Sequence, residues 1–198
     1  MHPSAESEVL IVFALKEEAQ GLFEARGIPV LYTGLGKLNA AIQLTRELAT
    51  RARKPRAVIN FGTAGSPAFP THTLVEITRF VQRDMDVSPL GFAPGVTPFD
   101  DTPAVLEVPR RLAGLPAGTC GTGDRFETGK PLVECDIVDM EAFAYAKVCH
   151  HLGIPFASVK YVTDGSDHNA HNDWVANLPR AARAFLDTCD GLVARLAL

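Results

Sequence analysis

Cysteine is scarce in this sequence, and what there is lies unpaired. The four present, Cys120, Cys135, Cys149 and Cys189, form no C-x-x-C pair in a chain of 198 residues. Disulfide frameworks belong to short secreted chains, and zinc sites need tighter spacing. Buried or idle thiols in a reducing compartment are expected, and no metal. His168 and His171 do not alter that: they stand in a polar stretch beside Asp167 and Asn169 without a third and fourth ligand, and read as surface-loop residues. An excess of one charge is lacking too. The 19 Lys and Arg against 23 Asp and Glu leave a net charge of −4, which excludes a nucleic acid or anionic membrane held by bulk charge. The one basic run, Arg51 to Arg56, reads as a solvated helix end. Membrane-length apolar runs are missing. Val9 to Leu15 falls short of the roughly 20 residues a span requires; with no basic stretch before it and Lys16-Glu17-Glu18 after it, it is not a signal peptide either. Repeats and low-complexity segments are absent. A soluble, cytoplasmic protein without nucleic-acid or membrane partners is expected.

What is present is a globular composition, 46% hydrophobic, in a length that fits one domain, taken as residues 1–198. Short β-branched runs alternate with helical patterns. Val9 to Leu15 is apolar throughout, the mark of a strand buried on both faces. Further strands are predicted at Ile28–Tyr32, Ala57–Phe61, Leu74–Gln82 and Phe156–Val162. Helices are predicted at Lys16–Ala25, Lys37–Arg53, Met140–Leu152 and Trp174–Leu198. Asp84 to Pro103, rich in Pro, Gly and Asp, reads as a long loop of the kind usually tied to function, and 104–135 as a helix followed by a strand. Such alternation makes an α/β fold with a largely parallel central sheet covered on both faces. Ligands in such folds sit beyond the carboxyl ends of the strands. Glu17 and Glu18, Gly34 to Lys37, Gly62 to Ser66, Gly123-Asp124 and Thr163-Asp164 cluster at those ends, so one crevice is inferred.

Two phosphate-binding patterns fail on inspection. Gly34-Leu35-Gly36 follows a strand and opens a helix, but Asn39 replaces the third glycine of a dinucleotide fingerprint. The acidic residue due about twenty positions later is basic. Gly123 to Lys130 has one residue too many for a P-loop, and Pro131 stands where Ser or Thr should bind magnesium. The carboxylates are more informative. Asp139 and Glu141 at the start of an alanine-rich helix, Asp164 at a strand end and Glu18 in a first turn each have an ordinary explanation in helix dipoles, caps or turns. Glu18, Glu141 and Asp164 together, at strand ends around one crevice, point instead to acid/base chemistry.

Five segments, in order, resemble the nucleoside phosphorylase and nucleosidase superfamily: Phe13-Ala-Leu-Lys-Glu-Glu18, Thr33-Gly-Leu-Gly-Lys-Leu-Asn-Ala-Ala41, Val58-Ile-Asn-Phe-Gly-Thr-Ala-Gly65, Asp139-Met-Glu-Ala142, and Ile154-Pro-Phe through Val162-Thr-Asp164. Arg83 to Val87 and Gly121 to Phe126 match more weakly. Within the superfamily the sequence is most similar to the methylthioadenosine/S-adenosylhomocysteine nucleosidases. The resemblance implies a three-layer α/β/α fold with a central mixed, largely parallel sheet. It also implies hydrolysis of the N-glycosidic bond of a purine nucleoside, with a small-molecule nucleoside as the only ligand, no cofactor and a homodimer. Breaking that bond builds positive charge on the ribose and negative charge on the departing base. Asp164 matches the family's general acid, which must carry a proton to the base. Glu18 matches the carboxylate that activates water. Glu141 matches the acid that binds the ribose hydroxyls, with Met140 packed against the sugar. Phe126 matches the aromatic residue stacked on the purine. Thr63, Ala64 and Gly65 fall in the loop approaching sugar and base, Thr163 stands beside the acid, and Asp139 opens the ribose-binding motif.

The departures from the family pattern are specific. Only Gly21 to Thr33 separates the first helix from the Gly34 turn, where members usually carry an extra strand pair. Lys160 stands where arginine is usual. Glu127 replaces an apolar residue whose backbone reads adenine, so its carboxylate either accepts from a 6-oxopurine edge or points to solvent. Lys16-Glu17-Glu18 occupies the place of the phosphorylases' arginine loop and would repel phosphate. Lys37 and Arg125 keep phosphorolysis open as an alternative, and a non-catalytic nucleoside-binding protein is a third reading. The loop 84–103 is the segment expected to complete the site of a neighbouring subunit.

Overall fold

The computed structural model describes residues 9–125, 127, 129, 131–165 and 170–196. Among them the strands are β1 (Val9–Phe13), β2 (Val30–Tyr32), β3 (Ala57–Gly65), β4 (Leu74–Gln82), β5 (Val105–Glu107), β6 (Ala117–Thr122), β7 (Ile137–Asp139) and β8 (Phe156–Asp164). The helices are α1 (Lys16–Ala19), α2 (Leu22–Ala25), α3 (Lys37–Thr50), α4 (Ala142–Leu152) and α5 (Ala170–Leu196). The unbroken apolar character of β1 has a direct cause. Leu10 and Val12 pack into one core with Leu44 and Leu48 of α3 and Phe143 of α4. Val9, Ile11 and Phe13 pack into a second core with Phe23 of α2 and Phe185 and Leu192 of α5. A strand covered by helices on both sides has no face left for water. β3 and β8 divide their side chains in the same way, which makes a three-layer α/β/α arrangement.

The sheet is mixed and largely parallel. β1 runs parallel to β2 and β3, β8 parallel to β3, and β6 parallel to both β4 and β7. β4 is antiparallel to β5 and β8, and β3 meets β7 antiparallel at Gly65 and Val138. Followed from neighbour to neighbour, β3, β8, β4, β6 and β7 return to β3. This closed circuit draws the ends of β3, β6, β7 and β8 around one space. Among the described residues no helix is long and apolar enough to cross a membrane.

Three expectations are corrected. Residues 104–115 form no helix. Val105–Glu107 pairs as an edge strand with β4, Leu106 is buried, and the Glu76 carboxylate accepts the Arg111 and Leu112 N–H groups at 2.6 and 2.8 Å. Pro109 and Pro116 interrupt the segment, and each removes a donor that a helix continuing through it would need. The helix predicted over Lys16–Ala25 is two single turns, because Gln20 (φ 51°) and Gly21 (φ 69°) are both left-handed and re-aim the chain between them. The fourth helix begins at Ala142, not Met140, since Asp139 still belongs to β7. The strand β7 went unrecognised in the sequence; three residues carry too short a pattern.

Candidate active site

Glu18 leaves β1 on the single turn of α1, which points its carboxylate back over the strand ends. Oε2 accepts the Leu15 N–H at 3.1 Å, while Oε1 accepts the backbone N–H and the hydroxyl of Thr63, each at 2.8 Å. The Trp174 indole N–H donates to the same Thr63 hydroxyl at 2.9 Å, tying α5 to the end of β3. Asp164 ends β8 next to Gly65, its strand partner on β3. Its Oδ2 accepts the Thr163 hydroxyl at 2.8 Å, and its backbone carbonyl accepts the Ser66 N–H at 3.0 Å. Both carboxylates are buried.

Glu141 arrives by a different route. The short strand β7 delivers Asp139, and two residues later Glu141 caps α4. The Thr122 hydroxyl donates to Asp139 Oδ1 at 2.6 Å, and the Ala142 N–H donates to Oδ2 at 2.9 Å. The Thr122 oxygen accepts the Phe143 N–H at 2.9 Å in turn, so α4 is capped from neighbouring strands and not by its own N-cap side chain. Glu141 Oε1 accepts the Gly36 N–H at 2.8 Å. Gly36 supplies that N–H from a left-handed conformation (φ 90°) open to glycine, on the turn before α3.

The charges in this space act on one another. Burial pushes the Glu141 carboxyl up to about 8, and the neighbouring Asp139 charge adds to the effect. Burial also works against the charge on Asp139. The Lys160 ammonium 2.8 Å away, the Thr122 hydroxyl and the Ala142 N–H outweigh it and hold Asp139 below the ordinary carboxylate range. The pair gives two neighbouring acids opposite tendencies, which is how one site keeps a charged and a protonated carboxyl side by side.

Glu18, Thr63, Ala64, Gly65, Glu127, Asp139, Met140, Glu141, Thr163 and Asp164 all line a single cavity of about 320 Å³, at the low end for small-molecule sites. The structure thus gathers every candidate of the nucleosidase reading except Phe126, which lies outside the described residues, as does His168. Arg83 and Trp174 line it too. Sequence reasoning gave neither a place in the site: Arg83 stood only in a weak motif match and Trp174 only at a helix start. Glu127 does not point to solvent. It is buried, and its carboxylate accepts from Arg83 at 2.9 Å, from Arg125 at 3.1 Å and from the Gly129 N–H at 3.2 Å. Burial opposes its charge, but the two guanidinium groups prevail and hold it below its ordinary value. Lys37 does not reach the cavity. Its ammonium sits on Asp84 at 2.6 Å, in a separate groove between α3 and α4.

The sequence of this chain matches the profile of the phosphorylase superfamily over residues 15–194. It is 30% identical to the 5′-methylthioadenosine/S-adenosylhomocysteine nucleosidase of Actinobacillus succinogenes over 199 aligned positions, covering 89% of this chain and 85% of that protein. Its fold superposes on a Helicobacter pylori nucleosidase holding 5′-methylthioadenosine in its active site, with a TM-score of 0.84 and 21% identity over 95% of this chain and 98% of that one. The futalosine hydrolase of the same organism gives a TM-score of 0.83 at 21% identity, over 94% and 97% of the two chains.

Proposed function

The chain belongs to the phosphorylase superfamily, and from that premise we propose that it is a purine nucleosidase. It hydrolyses the N-glycosidic bond of an adenine nucleoside of the methylthioadenosine or S-adenosylhomocysteine type. The observation that carries this reading is the convergence of Glu18, Glu141 and Asp164 on one cavity whose lining cations, Arg83 and Arg125, are already engaged. Arg83 and Arg125 hold Glu127, and Lys160 holds Asp139. Phosphate would enter among carboxylates with its natural partners occupied. Water needs only a base, and Glu18 supplies one.

In the reaction, Asp164 gives its proton to the purine ring as the bond from C1′ to the base nitrogen breaks. Electron density leaves with the base, and the ribose gains cationic character. Glu141 accepts the ribose hydroxyls and faces that charge. Glu18 takes a proton from water as the oxygen bonds to C1′. The products are the free base and the free sugar, and exchange with solvent returns the proton from Glu18 to Asp164. Met140 and the Ala64-Gly65 backbone form the wall against which sugar and base lie.

The quaternary assembly is part of the same proposal. Leu35 at the lip of the cavity, Leu38 and Ile42 follow one another along one side of the α3 entry, and Leu38 is 71% exposed. Beside them a groove of about 550 Å³ runs between α3 and α4, lined by Ala41, Phe143, Ala144 and Val148. An apolar surface continuous with the mouth of the site fits a second copy of the chain better than water. The loop 84–103 leaves Phe99 98% exposed, while Lys147 on Asp100 and His151 on Thr102 pin it to α4. We assign this loop, with the groove, to a homodimer contact.

The function is tested by incubating the protein with methylthioadenosine, S-adenosylhomocysteine, adenosine, inosine and futalosine, with and without phosphate, and following free base. Release of adenine without phosphate is expected, together with loss of turnover but retained nucleoside binding in Asp164→Asn. Release only with phosphate makes the protein a phosphorylase. A preference for inosine or futalosine assigns Glu127 to a 6-oxopurine edge. No release from any of them leaves the nucleoside-binding reading.

A further inference from the structure

Lys160 is a lysine in the middle of a β-strand, 1% exposed, with no place in the reaction as described so far. Buried lysines are rare unless paired. By the two-residue period of β8 its side chain points to the same face as Phe156, Ser158 and Val162, into the space enclosed by the closed circuit of strands. Room for it comes from Gly62, its register partner on β3. A Cβ at Gly62 would stand 2.9 Å from Lys160 Nζ and 3.4 Å from Glu18 Oε1, so one missing methyl group leaves the ammonium beside the Glu18 carboxylate. Nζ itself lies 2.8 Å from Asp139 Oδ2, the oxygen that also accepts the Ala142 N–H at the start of α4.

We propose that Lys160 is a positioning residue for the glycosidic reaction. Its ammonium holds Asp139 against the first turn of α4, and so fixes the Glu141 carboxyl in its ribose-facing place between Gly36 and the cavity. The inference rests on the nucleosidase reading and extends it to a residue that touches no substrate atom. Among the described residues, the ionisable groups that act most strongly on the ammonium are Asp139 on β7, Cys120 on β6, Glu141 at α4 and Glu18 on α1. Around Glu141 stand Asp139, Glu18 and Tyr145, with Lys160 the cation that opposes them. Remove Lys160, and Asp139 and Glu141 face each other without a counter-ion. Glu141 then keeps its proton to a pH above about 8, and becomes a charged acceptor for the ribose hydroxyls only beyond it.

The test needs no ligand. With 13C-labelled glutamate, the Glu141 side-chain carboxyl, assigned by its loss in Glu141→Gln, is titrated between about pH 5 and pH 10 in wild type, Lys160→Met and Lys160→Arg. Lys160→Met is expected to raise the Glu141 midpoint by about one unit or more, and Lys160→Arg to stay within about half a unit of wild type. The rising limb of kcat/KM for methylthioadenosine should move with the midpoint. A folded Lys160→Met chain with an unmoved midpoint overturns the proposal. Should Lys160→Met not fold, the double variant Lys160→Met/Asp139→Asn removes both charges. It should fold with a Glu141 midpoint within about a unit of wild type; a larger displacement, or a double variant that does not fold, overturns the proposal as well. A shifted midpoint in a protein that releases no base would keep Lys160 as the residue that sets Asp139 and Glu141, and sink the nucleosidase reading alone.

Discussion

At the scale of single residues, the site works by setting close neighbours in unlike surroundings. Asp139 and Glu141 are two positions apart, yet Asp139 meets Lys160, Thr122 and a helix N–H, whereas Glu141 meets one N–H and two other acids. The folded chain therefore retains the Glu141 proton up to about 8, while an unfolded chain releases it near 4.5. Between those values the folded state binds the extra proton, so this carboxyl lowers stability progressively as pH rises through the window. Glu141→Gln should abolish turnover and also stabilise the fold. Thermal melts are expected to show a gain over wild type that is small near pH 5 and largest near pH 8; an equal gain at both would refute the assignment.

At the scale of elements, α4 is the unit that links the sheet to the reaction. Its first N–H groups are satisfied by Asp139 from β7 and Thr122 from β6, so the helix start is pinned to the strand ends that form the cavity. Thr122 is fully buried and serves as donor to Asp139 and acceptor for Phe143 at once. Thr122→Val keeps the shape and removes both bonds. It should cost about 1–3 kcal/mol, because the Phe143 N–H is left buried without a partner. The melting temperature should fall by several degrees and KM for the nucleoside should rise. An unchanged melt would mean that α4 is held by its packing alone. The same element shows what periodicity can and cannot give. The α4 pattern was legible from Ala144 onward, but Asp139 belongs to a strand that a three-residue run could not announce, and the caps that matter come from residues far away in sequence.

At the scale of the whole molecule, the apolar surface of α3 begins at Leu35 on the cavity lining, so assembly and catalysis are coupled in the proposed dimer. Leu38→Glu puts a charge on the exposed face without touching a core position or the cavity lining. Sedimentation should show a dimer for wild type and a monomer for Leu38→Glu, with activity falling in proportion to dissociation on dilution. A wild type that is monomeric at every concentration would refute the assembly.

The sequence by itself settled what burial and local chemistry write into short stretches of chain. The continuous apolar strands declare a sheet covered on both faces, and ordered motifs from Glu18 to Asp164 place acids at the strand ends. Those signals are local, since the period of a strand and the residues of a turn depend on their near neighbours. The tertiary structure decided everything that depends on register between distant segments. It made an edge strand of the stretch predicted as a helix, because Pro109 and Pro116 offer no donors while β4 and Glu76 do offer partners. It turned Glu127 inward onto two arginines, drew Lys37 away to Asp84, and set Lys160 under Gly62 against Asp139. No spacing along the chain encodes those pairs; they exist because β3, β8, β4, β6 and β7 close on one another and enclose the charges between them.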